Sequence, residues 1–131
     1  MAKGGTEHKQ AQIILRDYYK RLGKIAIIEG FLDGKHIDLL VYDQSTGKTT
    51  AVEYQTGLAN ALRNIFVDSQ LCHEVVIVSS KQTVIDSIKI KAKKTFDCGQ
   101  LKRLEFRILK YFIPHERKET TTNIAEYNQP E

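Results

Sequence analysis

Two acidic side chains that interrupt apolar stretches are the residues of this sequence best suited to chemistry. Asp38 lies in the otherwise apolar segment 37–42, and Glu53 lies in segment 49–55, two residues before Gln55. Side chains alternate between the faces of a strand, so Glu53 and Gln55 are expected to share a face. Buried strands rarely keep charged groups that are neither paired nor bound to metal. Carboxylates on two neighbouring strands therefore predict a divalent-metal site.

Magnesium is the ion that such a set of oxygen donors favours. Mg²⁺ takes oxygen ligands in octahedral geometry, keeps several waters and is bound through one or two carboxylates. A bound ion polarises a phosphoryl oxygen, stabilises the negative transition state and makes a water more acidic. Phosphodiester hydrolysis needs these effects, because its substrate is anionic and its leaving group is poor.

A third acid comes from the first predicted helix. Apolar residues at positions 11, 14 and 18 recur at helical spacing, and extending this stripe backwards leads to Glu7. We therefore expect Glu7 to face the sheet, where an unpaired acid is unfavourable. The alternative is an ordinary first-turn acid, which the helix dipole favours.

The other candidates also have structural explanations. Asp38 could be an acid at a strand end, and Glu53 and Gln55 could lie on a solvated strand face. Three of the histidines are interpreted as surface residues rather than ligands: His8, His36 and His73.

The elements that must position these residues alternate between strands and helices. The order is αβββαβαβ, which predicts an α/β fold with a mixed sheet flanked by helices. Short connections make the first three strands antiparallel, and a helical crossover makes the third and fourth parallel. We predict helices at 6–22, 58–70 and 81–96, and strands at 24–29, 36–43, 49–55, 74–79 and 104–112. Within the last predicted helix, segment 88–91 also fits a strand.

Length and patterning predict one domain followed by a tail. A chain of 131 residues can bury a single core. We assign residues 1–113 to the domain and residues 114–131 to a polar, flexible C-terminal tail without periodicity.

Cysteine content and hydropathy limit the classes of protein to which this chain is expected to belong. Cys72 and Cys98 form no CxxC or Cys/His cluster, so neither zinc nor an iron–sulfur cluster is expected. Reduced cysteines predict an intracellular, cytoplasmic protein. No stretch approaches the roughly 20 apolar residues that span a membrane, and the N-terminus lacks the apolar region of a signal peptide.

The acids and their order resemble the PD-(D/E)XK nuclease superfamily, including small archaeal Holliday-junction resolvase-type nucleases. Ile37-Asp38 takes the place of the Pro-Asp pair, and Glu53-Tyr54-Gln55 takes the place of (Asp/Glu)-x-Lys. Glu7 takes the place of the helical glutamate. The resemblance covers residues 5–80 and implies a restriction-endonuclease-like fold.

The resemblance also implies roles for these residues. Asp38 and Glu53 would bind Mg²⁺, for which Mn²⁺ can substitute, and the Tyr54 carbonyl would be a further ligand. Glu7 would contact the ion or its water shell, and Gln55 would orient the attacking water. The implied protein is a homodimeric DNA endonuclease, structure-selective or weakly sequence-specific, of an archaeal or viral mobile element.

Two departures from the family pattern leave alternatives open. Gln55 stands where the family has lysine, and an amide can hydrogen-bond a water but cannot accept a proton at neutral pH. The loop at 30–35 lacks the serine that the archaeal resolvases carry before the aspartate. The alternatives are a catalytically inactive nuclease-fold module that binds DNA or protein, and an unrelated α/β interaction domain.

The net charge of +4 and the isoelectric point near 9.0 suit a polyanionic partner. Basic side chains would contact phosphates in a salt-dependent, largely sequence-independent way, although a solvated face is the simpler explanation. The candidates for DNA contact are Lys9, Arg16, Lys35, Arg63 and Lys81.

Overall fold

A five-stranded mixed sheet in the order β1-β2-β3-β4-β5 organises the chain. The computed structural model describes residues 5–114, so nearly all of the predicted tail at 114–131 lies outside the described residues. The predicted α/β fold with a mixed sheet flanked by helices is confirmed. The elements are α1 (Thr6–Arg21), β1 (Ile25–Leu32), β2 (Lys35–Asp43), β3 (Lys48–Tyr54), α2 (Ala61–Leu71), β4 (Glu74–Ser79), α3 (Gln82–Thr95), α4 (Cys98–Leu101) and β5 (Leu104–Ile108), followed by a 3-10 turn, Leu109–Phe112.

The strand directions agree with those expected from the connections. β1, β2 and β3 form an antiparallel meander, whereas β3–β4 and β4–β5 pair in parallel. α1 packs with one face of the sheet in a cluster that includes Leu15, Leu39 and Val52. α2 and α3 pack on the other face with Val75 and Ile77. The sheet therefore separates two layers of side chains.

The predicted helix at 81–96 is confirmed as α3, which includes residues 88–91. The predicted strand at 104–112 is too long, because it ends at Ile108, where the 3-10 turn begins. α4 was not predicted. Asp97 starts it with a capping box, in which its carboxylate accepts from the Gln100 N–H.

A two-residue turn joins β1 to β2 and determines where Lys35 lies. Asp33 and Gly34 both have positive φ, at 49° and 87°, which is the geometry that lets a tight turn follow the twist of its strands. Leu32 pairs with Lys35 across the turn. Lys35 is therefore the first residue of β2.

The regular alternation of side chains fails in the middle of β2. Ile37 and Leu39 are two residues apart and would share a face in a regular strand. Ile37 instead packs with Ala51, and Leu39 packs on the opposite, α1 face. Asp38 lies between them and points towards α1, where its hydrogen-bond partners lie.

The pairing of neighbouring strands fails at the same position. Ile28 pairs with Leu39 and Gly30 pairs with Ile37, but the intervening Glu29 has no paired partner in the ladder. Glu29 has a left-handed backbone, with φ of 54°. Such a conformation is unfavourable for a residue other than glycine and persists only where its surroundings hold it.

Gly30 lies where β1 passes closest to the side chain of Leu40. A Cβ atom added to Gly30 would meet the Leu40 Cβ at 2.5 Å. We expect Gly30→Val to lower the free energy of unfolding by about 1–3 kcal/mol through overpacking. Urea unfolding measures the change. Gly57→Ala is the matched control, because nothing lies within 4 Å of the added atom, and an equal loss in both variants would contradict the explanation.

Candidate functional site

Asp38 is a buried carboxylate whose hydrogen-bond partners among the described residues come from two elements, α1 and β3. Only 1% of its surface is exposed. One carboxylate oxygen lies 3.2 Å from His8 Nε2 of α1, and the other accepts the backbone N–H of Tyr54 on β3 at 2.8 Å. Gln12 Nε2 donates to the backbone carbonyl of Asp38 at 2.9 Å. α1 and β3 together therefore hold Asp38 in place.

His8, Glu29 and Asp38 form a group that could hold a metal ion. Each offers one ligand atom, and these atoms lie within 4.8 Å of one another. Gln12 Nε2 also donates to Glu29 Oε2 at 2.8 Å, so α1 orients this second carboxylate as well. One imidazole nitrogen and two carboxylates suit a first-row divalent cation such as Mn²⁺. Within residues 5–114 this is the one group of three or more such ligands.

Glu7 is not among the residues that α1 buries against the sheet, so the prediction that it lies on the core-facing stripe is wrong. Glu7 is exposed on the first turn of α1, and its carboxylate accepts a 2.5 Å hydrogen bond from the Tyr54 hydroxyl. The stripe that α1 buries is shifted by one residue from the predicted one. It consists of His8, Ala11, Gln12, Leu15 and Tyr19.

Glu53 is buried on the face opposite to Asp38. It lies between Val52 and Tyr54, which both pack on the α1 side, so its own side chain points towards α2. Lys35 Nζ donates to Glu53 Oε2 at 2.9 Å and also to Asp68 Oδ1 of α2. The structure therefore does not bring Asp38, Glu53 and Glu7 together, and their joint metal-binding role stays a prediction.

The pKa of Glu53 is raised from 4.5 to about 7. The main cause is burial, which disfavours the charged carboxylate. The neighbouring Asp68 carboxyl raises the pKa further, and the Lys35 ammonium opposes both effects. Glu53 therefore exchanges a proton near neutral pH, where ordinary glutamates are fully ionised.

Gln55 uses its side-chain amide inside the protein. Gln55 Nε2 donates to the carbonyl oxygens of Gly57 and Ala59, at 3.2 and 3.3 Å. Its Oε1 accepts from Asn64 Nδ2 at 3.0 Å. These bonds fasten the loop between β3 and α2 to the end of β3, and the water-orienting role stays a prediction.

A cleft of about 650 Å³ lies where α1 begins, β3 ends and α2 begins. We call it the α1–α2 cleft. α1 and α2 start at Gly5 and Asn60, and neither start has a side-chain cap among the described residues, so the positive ends of two helix dipoles lie at the cleft and favour anions. Arg63 adds a positive charge to the lining, and Glu7 adds a negative one. Its lining includes Thr6, Glu7, His8, Tyr54, Gln55, Thr56, Asn60, Arg63 and Asn64.

The predicted DNA-contacting residues lie in different settings. Lys9 and Lys81 are exposed, and Arg63 is exposed at the rim of the α1–α2 cleft. Arg16 lies 3.2 Å from Asp17 of its own helix. Lys35 is committed to Glu53 and Asp68. DNA contact by these five residues stays a prediction.

Sequence reasoning missed four residues that the structure brings into these sites. His8 was interpreted as a surface residue, and Gln12, Glu29 and Asp68 were not considered. A search for helical stripes that allowed polar residues would have identified three of them. Positions 8, 12, 15 and 19 share one face of α1, and positions 61, 65 and 68 share one face of α2. No periodic pattern in the sequence indicated a role for Glu29.

Comparison with protein-family models, with curated proteins and with solved structures finds no match for this chain.

Among residues 5–114, no helix combines the length and the apolar character that crossing a bilayer requires.

Proposed function

We propose that the protein is a metal-dependent nuclease that hydrolyses phosphodiester bonds of DNA and has the restriction-endonuclease-like fold. The element order αβββαβααβ, in which α4 is a single added turn, supports this proposal, as does the parallel pairing of β3 with β4 after an antiparallel meander. Asp38 lies in the middle of β2, and α1 packs over it. The resemblance to PD-(D/E)XK nucleases implies these positions for the strand acid that corresponds to Asp38 and for the helix that corresponds to α1.

The observation that carries the proposal is the group of His8, Glu29 and Asp38 next to the α1–α2 cleft. His8 belongs to both, because it contacts Asp38 and also lines the cleft. The donor set fits Mn²⁺ and, through its carboxylates, Mg²⁺. A bound ion would supply Lewis acidity at a phosphoryl oxygen.

The α1–α2 cleft supplies the features that an anionic substrate needs. Uncapped helix N-termini and the Arg63 guanidinium favour a phosphate group. A net charge of +4 favours long-range attraction to DNA. Binding is therefore expected to weaken as salt rises, because phosphate contacts release counterions.

The experiment is a cleavage assay on branched, linear and supercoiled DNA with Mg²⁺ or Mn²⁺. We expect wild type to cut and Asp38→Asn to lose activity by roughly 100-fold or more, because the central metal ligand and its charge are gone. Asp17→Asn is the matched control, since Asp17 is a half-exposed acid on α1 that contacts Arg16. No cleavage of any substrate by wild type, or full activity in Asp38→Asn, would sink the proposal.

A nuclease-fold module that binds DNA without cutting it is the second candidate. It is favoured by the engagement of both motif residues with protein partners: Lys35 contacts Glu53 Oε2, and the Gln55 amide bonds the β3–α2 loop and Asn64. Such a module would bind DNA equally well with and without metal. Arg63→Ala would weaken its binding, whereas Asp38→Asn would leave it unchanged.

A further inference from the structure

Glu53 and Asp68 form a second acidic pair, on the face of the sheet away from Asp38. Glu53 is 1% exposed on β3, and Asp68 is 0% exposed on α2. The Lys35 ammonium contacts one oxygen of each carboxylate, at 2.9 Å for Glu53 Oε2. β2, β3 and α2 each contribute one member of this group, which we call the Lys35 triad.

Two oxygen atoms of the Lys35 triad lack a hydrogen-bond partner among the described residues. They are Glu53 Oε1 and Asp68 Oδ2, and both are buried. A buried carboxylate oxygen without a donor is unfavourable and calls for a specific explanation. Above the pKa of Glu53, about 7, both carboxylates are ionised and carry a charge of −2, so the single ammonium leaves a charge of −1 uncompensated.

We propose that Glu53 and Asp68 form a binding site for a divalent cation. The ion displaces the Lys35 ammonium, which bridges the two carboxylates in this structure. A charge of +2 cancels both carboxylates, and coordination satisfies the two oxygens that the ammonium leaves without a partner. Both ligands are carboxylates, so the ion is a hard one such as Mg²⁺, Mn²⁺ or Ca²⁺.

The position of Lys35 allows this exchange. Lys35 follows the two-residue turn at the end of the β1–β2 hairpin, and 23% of its side chain is exposed. A lysine stem that reaches the surface can move its ammonium into water while the stem stays packed. The site is separate from the group around Asp38, so the inference does not depend on nuclease activity.

Titration with Mn²⁺, followed by the electron paramagnetic resonance signal of free Mn²⁺, tests the proposal in solution. We expect Lys35→Met to bind one Mn²⁺, in addition to any held by the group around Asp38, at least 10-fold more tightly than wild type does, because the competing ammonium is gone. Adding Asp68→Asn to Lys35→Met should abolish the gain. Lys24→Met is the matched control, since Lys24 contacts Asp43 at 3.9 Å elsewhere. Equal affinities of Lys35→Met and Lys24→Met would overturn the proposal.

A crystal of the wild-type protein soaked in Mn²⁺ gives a second test that needs no folded variant. An anomalous peak between Glu53 and Asp68, with the Lys35 ammonium turned to solvent, supports the proposal. The ammonium still bridging both carboxylates at saturating Mn²⁺, with no peak there, refutes it. A peak beside Asp38 bears only on the nuclease proposal, so the two proposals fail independently.

Discussion

Lys35→Met is expected to lower the free energy of unfolding by about 3 kcal/mol at pH 8, near the lower end of the range for breaking a buried ion pair. The substitution leaves Glu53 and Asp68 facing each other in the core with no counterion. Partial contact of Lys35 with solvent keeps the effect from being larger. Denaturant unfolding in the absence of divalent cations measures it.

Three controls isolate the cause of this loss. Lys24→Met removes a lysine of a more exposed pair and should change stability by less than about 1 kcal/mol. The double variant Lys35→Met/Asp68→Asn should be more stable than the sum of the single losses predicts, because the two residues interact. If Lys35→Met proves as stable as Lys24→Met, the triad contributes little to the fold.

The second large effect is a fall in stability as pH rises through the range in which Glu53 loses its proton. The pKa of Glu53 is about 7 in the folded protein and 4.5 as the ordinary value. The folded state therefore holds a proton that the unfolded state releases. The stabilisation from this proton is fully present below pH 4.5 and is lost as pH rises to about 7. The loss is about 3 kcal/mol, since each pKa unit corresponds to about 1.4 kcal/mol.

Comparison with Glu53→Gln separates this effect from the other titrating groups. Glutamine cannot ionise, so the stability of Glu53→Gln relative to wild type should increase from pH 4.5 to pH 7.5. Thermal or urea unfolding at several pH values measures the difference. Glu105→Gln, at an exposed strand residue, should show no such trend. A constant difference between Glu53→Gln and wild type across this range would contradict the raised pKa.

The fold was predictable because its signals are local. The apolar run of β4 gave the bounds Glu74–Ser79 without error. Helical spacing and short connections were sufficient for the element order and for the antiparallel and parallel pairings. The C-terminal 3-10 turn and α4 were missed, because a four-residue element has too little periodicity to distinguish it from a loop.

The site was harder to predict because its geometry departs from regular alternation. Asp38 and Glu53 were correctly placed on adjacent strands and are both buried. Regular alternation carried no sign that β2 breaks its pattern at Asp38, which directs the two acids into different layers. His8 lies 30 residues before its partner Asp38, Lys35 lies 18 residues before Glu53, and Asp68 lies 33 residues after Lys35. No local pattern encodes such distances.

The irregularity at Asp38 separates Asp38 from Glu53, which would share a face in a regular ladder, so the sheet divides two separately tunable compartments. β2 delivers Lys35 to one layer and, three residues later, Asp38 to the other. A substitution in α1 can therefore alter the surroundings of Asp38 and leave the Lys35 triad intact, and a substitution in α2 can do the reverse. A one-residue insertion between Lys35 and Asp38 would disturb both compartments at once, which makes this short segment the least replaceable part of the hairpin.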